Sequence, residues 1–378
     1  MSVALNISLA GCSSTLTPPK TSVDRDALPA SQCHMFETAA KVANSIESPY
    51  DADQEAVAVI ARAVASGCAK TAEQLVRKGS PWVRTSGLCE LSCQSWRAGD
   101  HKRARTLLAE ALLASESLPD FQRPLLESLL WRCRLLNACE GAATDLQGTN
   151  GLAVAWLHQV QTTVAKNDNP VTAREALCFA YLDLASSLEI ATLGGSNVTA
   201  CLDNALSLVS VLDPAQRPVF LDSVVRYAGK TCTLVSARQY LLRADKAVER
   251  EINGATNWVW QVRSAPLRRV TGEMDESIIQ RLQALEQAPE SVGNDVEIAP
   301  WIVLAESYTV LGRTADAQRI YDAGIAHAQN RKGYWRQVAV ARTLASMAGG
   351  GYVPLASASL IDCEIRKAQH GGATVPRQ

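Results

Sequence analysis

Few residues of this 378-residue chain have the types and spacing that could do chemistry. Gly229-Lys230-Thr231 matches the tail of a phosphate-binding loop, in which backbone amides cradle phosphates and the Lys reaches the terminal one. The first glycine of such a loop would fall at Val224, and the residues before it read as helix rather than strand. Gly229 therefore reads as a helix terminator. Cys89 and Cys93 stand one helical turn apart and could face one metal, with Cys68 or His101 as further ligands. Zinc takes close Cys or His pairs supplied twice, and no second pair accompanies this one, so core packing is the expectation. Cys133 and Cys139 could bridge across a helix end in an oxidising compartment. Cys33-His34 has the composition of a thiol–imidazole dyad but falls where the folded region begins, as a helix start. The histidines at 34, 101, 158, 327 and 370 are dispersed, and neither an HExxH helix nor a GxSxG elbow occurs. Asp51, Asp53 and Glu55, or Glu297 and Glu306, offer carboxylates, but no spacing singles out an acid–base pair. No catalytic, cofactor-binding or metal-ligating residue is assigned on these grounds, and no cofactor is expected.

What remains are aromatic residues beside basic ones. Trp258 and Trp260 lie near Arg263, Arg268 and Arg269, and Tyr334 and Trp335 near Arg331, Lys332 and Arg336. Trp and Arg are the commonest interface anchors, and such clusters suit acidic peptide tails or carboxylates. Two tryptophans two positions apart on one helix point to different sides, so one of the pair is expected to be exposed. Trp301 and Trp335 are expected in the core. Trp258, Trp260, Arg263, Arg268 and Arg269 are thus the expected partner-binding residues.

The elements that would position these groups are helices. Aromatics make up only 5% of the chain, and Ala and Leu dominate stretches such as Ala104 to Ala114. Trp301, Leu304, Ala305, Tyr308, Gly312, Ala317, Tyr321 and Gly324 then follow a repeat pattern. Trp301, Leu304 and Tyr308 recur at three- and four-residue steps and share one helical face. Gly312 ends that helix, small Ala317 and Gly324 let a second helix approach, and Tyr321 fills the space between. The same register fits Gly99, Ala104 and Leu108, and again Gly67, Ala72 and Val76. Gly67 and Gly99 stand close to one such period apart, roughly 34 residues. In this spacing the chain resembles tetratricopeptide-repeat proteins. The resemblance implies an all-α solenoid of about eight antiparallel helix pairs, wound as a right-handed superhelix. Turns at Gly229, Gly272 and Gly349-Gly350-Gly351 suggest longer units further on, punctuated by Pro119, Pro124, Pro214, Pro218, Pro289 and Pro300.

Near the start, Leu9-Ala10-Gly11-Cys12 resembles the cleavage box of bacterial lipoproteins, which implies lipid attachment at Cys12. No Lys or Arg precedes Cys12. The polar, Pro-containing stretch that follows reads as a tether. The expected organisation is a signal remnant and tether over 1–32, helical arrays over 33–140 and 141–370, and a disordered tail over 371–378. The 37 basic and 38 acidic residues are interspersed, which argues against a partner held by neutralised phosphates. No run of roughly 18 apolar residues exists to span a bilayer. The expectation is a non-enzymatic scaffold with a concave groove for a protein or peptide. It would bind no nucleic acid and touch the membrane of a bacterial envelope only through lipid on Cys12. A cytoplasmic adaptor of the same fold is the alternative, followed by a helical-toroid enzyme or glycan-binding protein.

Overall fold

The structure is a computed structural model that describes residues 30–119, 195–214, 216–231, 234–249, 254–286, 300–329 and 333–352, with isolated helical positions between 126 and 185. No strand occurs among these residues, and the chain is all-α. Cys12, Cys139 and the expected tail lie outside the described residues.

The first helices are α1 (Ala30–Ala43), α2 (Pro49–Ala65), α3 (Ala69–Lys78), α4 (Pro81–Arg97) and α5 (His101–Glu116). After the intervening segment come α6 (Gly195–Leu208), α7 (Arg217–Thr231), α8 (Leu234–Glu249), α9 (Gly254–Ser264) and α10 (Asp275–Leu285). The last are α11 (Pro300–Val310), α12 (Thr314–Gln329) and α13 (Gly333–Gly350). Local signals explain their limits. α2 opens with Pro49 at its first position, and the Ser48 hydroxyl accepts from the Asp51 amide at 3.4 Å. At Gly312, between α11 and α12, φ is +74°, a left-handed conformation that an L side chain adopts only with strain. Gly67 and Gly99 occupy the same conformation after α2 and α4. Gly229, by contrast, lies inside α7, which runs on to Thr231. The segment leading to Lys230 is therefore helix, not the strand and loop that a phosphate cradle needs. Gly349 and Gly350 likewise belong to α13, and only Gly351, at φ +82°, breaks it.

The described residues fall into two compact units. One takes in Met1–Gln94, Ala109–Leu125 and Ile298–Gln378, and the other Ser95–Leu108 and Leu126–Glu297. Each is assembled from more than one stretch of chain, where the sequence suggests consecutive arrays.

In the first unit α13 is the central helix. It packs on α1 and α2 from the N-terminal part and on α11 and α12 from the C-terminal part. Its residues Val338 to Ala341 and Thr343 to Ala348 are all buried, and most are small enough to let neighbouring helices approach. On α1, Phe36, Ala39, Ala40, Val42 and Ala43 are buried. The first and last described helices, α1 and α13, thus pack on each other within this unit. Cys33, in the first turns of α1, forms a disulfide with Cys68, which opens α3; their Cα atoms are 5.6 Å apart. The bond removes Cys68 from the metal-ligand set and Cys33 from any thiol–imidazole dyad.

In the second unit α7 packs on α6, α8 and α9, and α9 also meets α8 and α10. Its core holds Phe220, Leu221, Val224, Tyr227, Leu241 and Leu202, all nearly inaccessible. Apolar residues at three- and four-residue steps on each helix build this surface.

Candidate functional site

The residues of the expected repeat are placed compactly. Leu304, Ala305 and Tyr308 of α11 and Ala317 and Tyr321 of α12 are buried, while Trp301 is half-buried. A Cβ added at Gly324 would stand 2.9 Å from the Trp301 Cβ, so a side chain there would push the two helices apart. His327 lies beside Trp301, with ring centroids 6.2 Å apart. Ala72 and Ala104 are fully buried.

A polar chain crosses the first unit through these helices. Arg62 of α2 donates from Nη1 to Glu306 Oε1 of α11 at 2.7 Å. The Ser346 hydroxyl of α13 donates to the same oxygen at 2.8 Å, and Tyr321 OH shares a 2.8 Å hydrogen bond with Ser346 Oγ. Burial, reinforced by the Glu306 charge, pushes the Tyr321 phenol well above its usual range, so it stays a donor. Glu55 of α2, also buried, pairs with Arg342 of α13, whose Nε donates to Oε2 at 2.8 Å. Glu55 and Glu306 each face a guanidinium of another helix. The arrangement ties α2, α11, α12 and α13 together through partly buried hydrogen bonds, several of them charge-assisted. Asp51 and Asp53 stay near the start of α2, where Asp53 accepts from the Ser80 hydroxyl at 2.7 Å. Glu297 is outside the described residues.

The expectation that one tryptophan of the α9 cluster is exposed needs correction. Trp258 and Trp260 are both buried, at 5% and 2% exposure. α9 is covered on two sides, so the opposed directions of the indoles lead to two different neighbours rather than to solvent. The Trp258 indole N–H donates to the Leu285 carbonyl at the end of α10 at 3.1 Å. That of Trp260 donates to Asp245 Oδ1 of α8 at 2.9 Å. The arginines also face carboxylates of their own unit. Arg268 donates to Asp245 at 3.0 Å and Arg269 makes a fork with Asp275, while Arg263 lies 3.6 Å from Asp222. The Arg269 guanidinium holds the Asp275 carboxyl below its ordinary value.

The other aromatic pair takes the opposite position. Trp335, expected in the core, is 49% exposed, and Tyr334 beside it is 37% exposed. Their rings meet edge to face with centroids 4.9 Å apart. Both lie in the first turn of α13, which begins at Gly333 with φ +55°. One turn further on, Gln337 donates to the Ser45 carbonyl at 3.0 Å and fixes this end of α13 against the turn after α1. The helix is thus anchored where it carries two large exposed aromatic faces. The sequence signal was present in the pairing of aromatics with Arg331, Lys332 and Arg336. The choice between the two clusters could not be made from spacing, because burial depends on which helices cover each one.

Among the described residues no three His, Cys, Asp or Glu side chains gather as a metal site, and no helix is long and apolar enough to cross a membrane. Cys89, Cys93 and Cys201 are buried, and burial pushes the Cys201 thiol up to about 11. No family model matches the chain, and neither a curated protein nor a solved structure matches it.

Proposed function

We propose that this chain is a non-enzymatic scaffold built of tetratricopeptide-like helix pairs that binds a protein or peptide partner. The observation that carries this reading is the exposed edge-to-face pair Tyr334–Trp335 on an anchored helix end. An aromatic side chain such as Trp335, 49% exposed on a fixed backbone, costs little ordering entropy when a partner covers it, which is how interface anchors work. The polar chain through Glu306 and the Glu55–Arg342 pair tie α13, which carries the aromatic pair, to α2, α11 and α12.

The proposed address is a bacterial envelope, with lipid on Cys12. The Cys33–Cys68 disulfide supports it, because such bonds persist in oxidising compartments and are rare in cytosolic proteins. Capture from solubilised envelopes with the purified chain tests the function. A protein recovered with wild type and lost with Trp335→Ser supports it. Recovery of no protein, together with a tightly held small molecule, would replace the scaffold by an enzyme or a ligand-binding protein. Metabolic labelling with a radioactive fatty acid tests the address: label in wild type and none in Cys12→Ser is expected, and an unlabelled wild type would refute it.

A further inference from the structure

Arg263 of α9 has 16% of its side chain exposed, and its one ion pair runs from Nη1 to Asp222 Oδ2 of α7 at 3.6 Å. That distance is too long for a hydrogen bond. Its Nε is buried and meets no acceptor. Asp222 already accepts the Nε of Arg226 at 2.8 Å, and these two side chains are 9% and 15% exposed. Two guanidiniums therefore share one carboxylate, which among the described residues leaves one positive charge in excess in a mostly buried setting. Arginine carries five N–H donors, and those of Arg263 form no hydrogen bond of normal length among the described residues. Its neighbours on the next segment differ. Arg268 reaches Asp245 at 3.0 Å, and both oxygens of Asp275 accept from Arg269 at 2.7 Å. The Nε of Arg268 is also buried without an acceptor, but Arg268 and Arg269 each make at least one hydrogen bond of normal length to a carboxylate, and Arg263 makes none among the described residues.

A mostly buried guanidinium whose Nε has no acceptor is costly, and in a folded protein such a group needs an explanation. A second anion offers one. We infer that Arg263 and Arg226, sharing Asp222, form a binding site for a carboxylate. The planar guanidinium fork matches a carboxylate through two parallel N–H···O bonds. The excess of one charge is balanced by one carboxylate. A phosphate, at roughly −1.5 to −2, would bring more negative charge than the site neutralises. The site uses side chains of the second unit alone and does not depend on the aromatic pair of α13.

The test titrates the full chain with acetate, a hexaglutamate peptide or inorganic phosphate against chloride at constant ionic strength, read by calorimetry and by thermal melting. Wild type is expected to bind the carboxylates. Arg263→Gln leaves Asp222 paired with Arg226, so it should fold, melt no lower without ligand, and lose about tenfold or more in carboxylate affinity. Arg263→Lys keeps the charge without the fork and should lose affinity to a similar degree, which covers the case of a Gln variant that does not fold. Acetate and peptide binding alike would identify a small carboxylate as sufficient, and much tighter peptide binding an acidic chain. No binding to wild type, equal binding by wild type and both variants, or phosphate held more tightly than either carboxylate would overturn the inference.

Discussion

Arg342 donates to both carboxylate oxygens of Glu55, a residue 287 positions earlier in the chain, with Nε to Oε2 at 2.8 Å. Glu55 is 6% exposed and Arg342 26%. The pair ties α2 to α13 and so joins the first and last parts of the chain inside one unit. Replacing Arg342 by Leu would leave a buried carboxylate without its cation, at a cost of about 3 kcal/mol. Chemical denaturation of the variant checks this. Replacing Glu55 by Leu in the same chain should recover much of the loss, since the cost lies in the orphaned charge. A loss below about 1 kcal/mol in the single variant would mean that the pair does not hold the two helices.

The Cys33–Cys68 disulfide closes a loop across a separation of 35 residues. Constraining the unfolded chain over such a length stabilises by about 3–4 kcal/mol in the loop-entropy account. Cys33→Ser with Cys68→Ser should therefore melt well below wild type, and a thiol reductant should lower the melting point of wild type but not of the double variant. Alkylation followed by mass spectrometry should find these two thiols blocked in the untreated protein. Two free thiols there would count against both the bond and the oxidising address.

Asp53 gives a pH-dependent expectation. Burial raises its pKa above the ordinary 3.8, and the hydrogen bond from Ser80 only partly offsets this. The folded chain thus binds this proton more readily than the unfolded chain. The stabilisation by protonation is complete below 3.8 and is lost as pH rises through the raised value. Asp53→Asn keeps an acceptor for Ser80 and removes the charge, so it should melt above wild type at pH 7, with the gain shrinking as pH falls below 3.8. A variant that melts lower at pH 7, or whose gain does not change with pH, would contradict the role given to burial.

Helix content and several turn positions were legible because they depend on local chemistry. Gly67, Gly99 and Gly312 mark helix ends through a backbone conformation that glycine adopts freely, and Pro49 opens α2 for equally local reasons. Long-range relations were not legible. Nothing in the composition of α13 says that it packs on α1, because its Ala and Ser residues fit any close neighbour. The aromatic clusters show the same limit. Trp258 and Trp260 are buried because α9 is covered on two sides, while Trp335, in the first turn of α13, is 49% exposed. The Cys33–Cys68 pairing also depended on tertiary packing, since spacing alone cannot place two Cα atoms 5.6 Å apart.

The most direct measurement is the dissociation constant of the captured partner for wild type and for Trp335→Ser. Trp335 is 49% exposed, so its replacement should leave folding stability within about 0.5 kcal/mol. As an interface anchor its loss should cost about 2 kcal/mol of binding, or roughly 30-fold in affinity. A variant that melts like wild type and binds 30-fold more weakly would establish the aromatic pair as the docking surface. Unchanged affinity in an equally stable variant would contradict it.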